Sequence, residues 1–159
     1  MVKLGLYLKA DLENVTELVP VEDYEWHFKV ECGSCREVDE SWITFNRQDS
    51  YDMSGSRGTA NLVMRCKFCK RESTAQFETN GKVVPYTKSG EFQKIATFDC
   101  RGLELVDFSP RESWVAKGIE SDTKFEDIDL LEGEWAEYDD KSNEPVGISD
   151  IEIKFKKEK

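Results

Sequence analysis

The segment Tyr24-Glu25-Trp26-His27-Phe28-Lys29-Val30-Glu31-Cys32-Gly33-Ser34-Cys35 decides how this chain folds. Tyr24, Trp26, Phe28 and Val30 alternate with Glu25, His27, Lys29 and Glu31. A period of two belongs to a strand that buries one face and wets the other. The strand runs directly into two cysteines with two residues between them, a spacing that lets one tight turn aim both sulfurs at a common point. The same alternation recurs along the chain. Leu4, Leu6 and Leu8 predict an opening strand, Trp42 to Phe45 another, Leu62 and Met64 a third, Ala75 and Phe77 a fourth. Ile151, Ile153 and Phe155 alternate with Glu152, Lys154 and Lys156 in a final one. No long stretch has helical spacing. Asn80-Gly81 reads as a two-residue hairpin turn, with Val83-Val84 on the return strand and Pro85 at its edge. Arg47 to Gly58 reads as an exposed loop. Between 99 and 150, Gly102, Pro110, Gly118, Gly133, Pro145 and Gly147 break the chain into shorter strands. The expected architecture is all-β: an antiparallel, sandwich-like single domain over 1–159, the length of one domain.

The chain contains one internal repeat. Phe28-Lys29-Val30-Glu31-Cys32-Gly33-Ser34-Cys35-Arg36-Glu37 aligns with Leu62-Val63-Met64-Arg65-Cys66-Lys67-Phe68-Cys69-Lys70-Arg71. Each half is a strand feeding a cysteine turn. Two such units facing each other form a zinc-ribbon-like pair of knuckles. Zinc(II) takes four ligands in a tetrahedron and binds thiolates well, so Cys32, Cys35, Cys66 and Cys69 are the candidate ligands of one zinc ion. The zinc-bearing part spans about 24–79. The 30 residues between the pairs exceed the roughly 15–20 of the usual pattern, and the strand at 42–45 with its loop accounts for the excess. Four sulfurs close the coordination shell, whereas zinc catalysis keeps one position open, so the expected role is structural and the chain is expected not to be an enzyme. On this reading, removing the metal unfolds the 24–79 region. Ligand type alone leaves iron open. A redox dithiol would need a helix N-terminus, and both motifs follow strands. Disulfides would need an oxidising compartment, and five cysteines are an odd number. A Zn(Cys)4 centre carries a formal charge of −2, which the adjacent Arg36, Arg65, Lys67, Lys70 and Arg71 are placed to offset.

The formal net charge is −11, and its distribution is uneven. Residues 99–150 hold 5 Lys and Arg against 16 Asp and Glu, so the whole excess lies in this acidic part. Such a field repels nucleic acid and anionic lipid and favours a basic protein surface. No apolar run marks a signal or a spanning segment, so the expected location is the cytosol or the nucleus, and the expected state a monomer. Cys100 is the unpaired cysteine, a candidate nucleophile in a redox enzyme or simply a buried thiol. The layout of two cysteine pairs and a later cysteine superficially resembles the B-type methionine sulfoxide reductases. Those need histidines near the reacting centre, and the single histidine here, His27, lies upstream.

With both cysteine pairs and the acidic half in view, the chain resembles the CXXC motif-containing zinc-binding proteins, a eukaryotic family with no established reaction. The match includes Leu8-Lys9-Ala10-Asp11-Leu12-Glu13-Asn14, Cys100-Arg101-Gly102-Leu103-Glu104, Val106-Asp107-Phe108 and Pro110. It continues through Gly118-Ile119-Glu120-Ser121, Thr123, Phe125, Ile128-Asp129-Leu130, Trp135, Tyr138-Asp139 and Val146-Gly147-Ile148. The resemblance implies a β-sandwich-like fold with zinc near one end, held by the same four cysteines. Leu105 stands where proline is usual and Asp122 where glycine is usual; Asp tolerates the left-handed region.

The function expected from all of this is a structural zinc protein acting as an interaction or adaptor module. Its acidic part, with Trp135 and Tyr138, would face a basic partner protein. The alternative is a metal-handling protein that exchanges zinc or copper(I) with a partner. A cysteine enzyme using Cys100 ranks third.

Overall fold

The computed structural model describes residues 2–53, 58–78 and 82–158, and these form strands with no helix. The strands are β1 (Val2–Glu13), β2 (Val15–Pro20), β3 (Trp26–Cys32), β4 (Ile43–Phe45), β5 (Tyr51–Asp52), β6 (Thr59–Ala60) and β7 (Leu62–Arg65). They continue as β8 (Glu72–Phe77), β9 (Gln93–Arg101), β10 (Leu103–Ser109), β11 (Trp114–Gly118), β12 (Lys124–Ile128), β13 (Trp135–Asp139) and β14 (Glu144–Glu158). One six-stranded sheet has the order β13-β14-β1-β9-β8-β7, and two three-stranded sheets have the orders β10-β3-β4 and β12-β11-β2. Neighbouring strands pair antiparallel throughout.

The all-β expectation holds, and the alternation shows why. In β3, Trp26, Phe28, Val30 and Cys32 are buried while the residues between them are half-exposed. The β3 aromatics meet the inner face of the six-stranded sheet. Trp26 lies 5.4 Å from Phe77 of β8, Phe28 lies 5.3 Å from Phe98 of β9, and Phe77 and Phe98 are 4.7 Å apart, all between ring centroids. Rings at these separations add about 0.5–1.5 kcal/mol per pair beyond the area they bury. β1 supplies Leu4, Leu6, Leu8 and Ala10 to the same core from the middle of the sheet. At the other end, Trp114 of β11 is fully buried and donates its indole N–H to the Tyr24 hydroxyl at 3.1 Å.

Two expectations need correction. Val83-Val84 do not return beside β8, whose neighbours are β7 and β9. Val84 donates its amide to the Ile95 carbonyl, and Tyr86 bridges Leu18 of β2 through a reciprocal pair of backbone hydrogen bonds. The buried Tyr86 ring draws this segment across the sheets, and its hydroxyl meets the amide and carbonyl of Ala10 and the carbonyls of Lys88 and Glu91. The Asn80-Gly81 turn lies outside the described residues. Arg47 to Gly58 is not wholly a loop, because Tyr51–Asp52 pairs with Thr59–Ala60. Asn61 holds this excursion in place. Its amide donates to the Asp49 carbonyl and its side-chain oxygen accepts from the Phe77 amide, each at 2.8 Å.

Candidate metal centre

β3 ends in Cys32, and β7 ends one residue before Cys66. Both chains then turn in the same way. The Arg36 amide donates to the Cys32 carbonyl at 3.0 Å, and the Lys70 amide to the Cys66 carbonyl at 2.9 Å. The Cys32 amide returns to the Glu37 carbonyl and the Cys66 amide to the Arg71 carbonyl. Arg36 and Lys70 take φ values of 64° and 66°, the left-handed step that closes each knuckle. The amides of Ser34 and Phe68 each point at the first sulfur of their own knuckle, at 3.4 Å. The sequence repeat is therefore a structural repeat, bond for bond.

The two knuckles face each other. Cys32 Sγ lies 3.6 Å from Cys69 Sγ, and Cys35 Sγ lies 3.7 Å from Cys66 Sγ. All four sulfurs lie within 4.8 Å of one another. A regular tetrahedron with Zn–S near ~2.3 Å has sulfur–sulfur edges of roughly 3.8 Å. Two of the sulfur–sulfur separations match that edge, and the set is close enough to hold one ion. The cluster also joins two sheets, since β3 belongs to the β10-β3-β4 sheet and β7 to the six-stranded one.

The electrostatics agree with a cation site. Amides of Cys35 and Ser34 stabilise the Cys32 thiolate and pull its pKa down to about 6. The Cys69 and Phe68 amides lower Cys66 in the same way. The Glu37 amide favours the Cys35 thiolate, but desolvation and the neighbouring sulfurs of Cys66, Cys32 and Cys69 outweigh it and raise Cys35 to about 12. Without a cation the neighbouring sulfurs oppose ionisation of Cys35; a dication removes that conflict. Three of the nearby basic residues are themselves answered by acids. Arg36 pairs with Glu31 and Glu104 at 3.4 and 3.7 Å, Lys67 with Asp39 at 3.2 Å, and Arg65 with Glu72 at 3.9 Å. Their offset of the site's negative charge is therefore only partial.

Two residues at this end were not recognisable as part of the site. The Gly33 amide of the first knuckle donates to the Gly102 carbonyl at 2.8 Å, and the Ser73 hydroxyl donates to the same oxygen at 3.0 Å. Gly102 has φ +83°, and a Cβ there would lie 2.8 Å from Ser73 Oγ. The turn between β9 and β10 thus braces the first knuckle. Its only sequence signal was a glycine that read as punctuation.

The other candidates lie apart from the sulfurs. Cys100 is fully buried in β9, and burial first, then the charges of Asp99 and Glu104, push its thiol up to about 12. That is the environment of an inert thiol. His27 sits 3.1 Å from the Glu25 carbonyl, with its pKa lowered by burial and by Arg111; no cysteine accompanies it in its surface cleft. Trp135 is half-buried against Phe125, whereas Tyr138 is 52% exposed.

Residues 5–156 match the family described as CXXC motif containing zinc binding protein, eukaryotic. A Homo sapiens protein of that name is 42% identical over 160 residues, covering 99% of each chain. The crystal structure of C1orf123 superposes with a TM-score of 0.91 at 42% identity, covering 98% of this chain and 99% of that one. A hypothetical protein from Plasmodium falciparum superposes with a TM-score of 0.87 at 27% identity, covering 98% of this chain and 100% of that one. The family's name records zinc binding and no reaction. Four sulfurs spaced for one tetrahedral ion, together with these matches, place this chain in the eukaryotic CXXC motif containing zinc binding protein family.

Proposed function

We propose that Cys32, Cys35, Cys66 and Cys69 hold one structural zinc ion, and that the chain it stabilises is a binding module for a basic protein rather than an enzyme. Bound there, zinc supplies a cross-link between two sheets. Four thiolates leave no position for a substrate, which supports the non-catalytic reading. The observation that carries the interaction role is the charge distribution: the entire formal excess of −11 lies in residues 99–150. Ile119, Leu131 and Tyr138 in that part also expose more than half of their surface. Acidic side chains steer a basic partner, and exposed apolar groups supply contact area once it arrives.

The test is crosslinking capture with the intact protein and with a variant carrying Glu126→Gln, Glu132→Gln, Glu134→Gln and Glu137→Gln. The expected partners are basic, are lost at high salt and are lost by the variant. Partners that survive both changes contradict the reading. A second reading, metal exchange, is favoured by one feature: Cys35 and Cys69 are half-exposed at the rim of the cluster. Competition with a calibrated chelator separates the two, because a structural site holds zinc with roughly 10–16 kcal/mol and a delivery site releases it readily.

A further inference from the structure

The strand β13 forms one edge of the six-stranded sheet and, among the described residues, pairs only with β14. Its register runs from Trp135 opposite Ile148 to Asp139 opposite Glu144 without a break, placing Ala136 opposite Gly147 and Tyr138 opposite Pro145. Pro145 has no amide hydrogen to give, and its carbonyl accepts from the Asn14 side chain at 2.8 Å, on the far side from β13. The Tyr138–Pro145 pair therefore exchanges no ladder hydrogen bonds, and by alternation neither does Ala136–Gly147. The amides and carbonyls of Ala136 and Tyr138 consequently point away from the sheet. Ala136, Glu137 and Tyr138 are all exposed, and no group among the described residues meets those four backbone atoms.

The edge strands β2, β12, β10, β4 and β7 are guarded against a further strand. β2 carries Glu17 at φ 52° and is bridged at Leu18 by Tyr86. β12 carries Asp127 at φ 55°, and the register of β10 breaks between Leu105 and Asp107. β4 and β7 have only three and four residues. A long, regular edge normally invites another strand. On β13 the guard is charge: Glu137 is exposed within it, and Glu132, Glu134 and Asp140 are exposed beside it. That charge opposes pairing with a second copy, whose edge carries the same sign, and selects a strand of the opposite sign.

We infer that β13 is a docking edge for an extended, lysine- or arginine-rich segment of the partner protein, which adds as a seventh strand to the six-stranded sheet. This inference rests on the acidic-surface reading above and names its place and mode. The backbone groups of Ala136 and Tyr138 supply the ladder. Glu137 meets a basic side chain, and the exposed Tyr138 ring offers a face to another.

The probe is the capped peptide Lys-Val-Lys-Thr-Lys-Val-Lys, compared with an isomer of equal charge in which both valines are proline and strand pairing is blocked. Binding to the full chain is read by fluorescence anisotropy at low salt, about 50 mM. Ala136→Pro removes an outward amide and leaves the bonds to β14 intact. The alternating peptide should bind about five- to ten-fold tighter than the proline isomer, and Ala136→Pro should abolish that advantage. The Ala136 and Tyr138 amides should exchange more slowly when the peptide is bound. Equal binding of both peptides, with loss in Glu137→Lys, overturns the edge proposal and leaves the acidic-surface reading standing. No binding of either peptide overturns both. Should Ala136→Pro not fold, a peptide N-methylated at alternate residues gives the same decision.

Discussion

Stripping the metal from this chain should lower its melting temperature by an amount set by the loops that the metal closes. The sulfur pairs Cys32/Cys69 and Cys35/Cys66 join residues 37 and 31 positions apart. Closing a loop of about 35 residues in the unfolded chain costs roughly 4 kcal/mol of configurational entropy, and a cross-link held in the folded state returns that amount as stability. For a domain of this size, each kcal/mol moves the melting temperature by about 2–4 °C, so the drop should be about 8–16 °C. The assay is calorimetry with and without a high-affinity zinc chelator, repeated after zinc is restored. The sequence pointed to loss of the whole 24–79 region, but the packing narrows this. Trp26, Phe28 and Phe77 belong to a core shared with β9 and β10, which the metal does not touch. Hydrogen exchange should accelerate first at the knuckle amides of Cys32, Gly33, Arg36, Cys66 and Lys70. A melting temperature within about 2 °C of the starting value would refute the argument.

Further outcomes follow from other parts of the structure. Gly102→Ala should cost about 1–3 kcal/mol, because φ +83° is strained for any side chain and the new Cβ meets Ser73 Oγ; chemical denaturation measures the cost, and faster zinc loss to a chelator should accompany it. Tyr86→Phe should destabilise by about 1–3 kcal/mol, since the buried Ala10 amide loses its acceptor; unchanged stability would show that another group replaces the hydroxyl. Asp139 accepts from the Ser121 hydroxyl, the Lys141 amide and the Thr123 hydroxyl, which hold its pKa below the ordinary 3.8 against the opposing effect of burial. A depressed carboxyl contributes stability that is complete above 3.8 and fades as the pH falls through the folded-state value. Asp139→Asn should therefore flatten the acid limb of the melting-temperature profile, and an unaltered profile would contradict the assignment.

Much of this was legible in the sequence wherever the pattern was local. The alternation in 24–32 and 151–156 places side chains on two faces regardless of distant contacts, and two Cys-x-x-Cys repeats with matching strands imply matching turns. Asp122, in place of the family's usual glycine, does adopt a left-handed φ of 58°. What escaped the sequence depends on long-range contacts. Tyr86 gave no sign that it would anchor Ala10, 76 positions away. Gly102 and Ser73 support the first knuckle through a carbonyl that carries no side-chain signature. The free edge of β13 became visible only once Pro145 was known to lie opposite Tyr138.

The central claim is that four named sulfurs hold one zinc ion. Zinc-edge X-ray absorption on the purified chain, with its metal content measured on the same sample, tests it most directly. The account predicts one zinc per chain, four sulfur neighbours near ~2.3 Å, and loss of that spectrum in Cys66→Ser. Nitrogen or oxygen neighbours in the intact protein, or an unchanged sulfur shell in the variant, would contradict it.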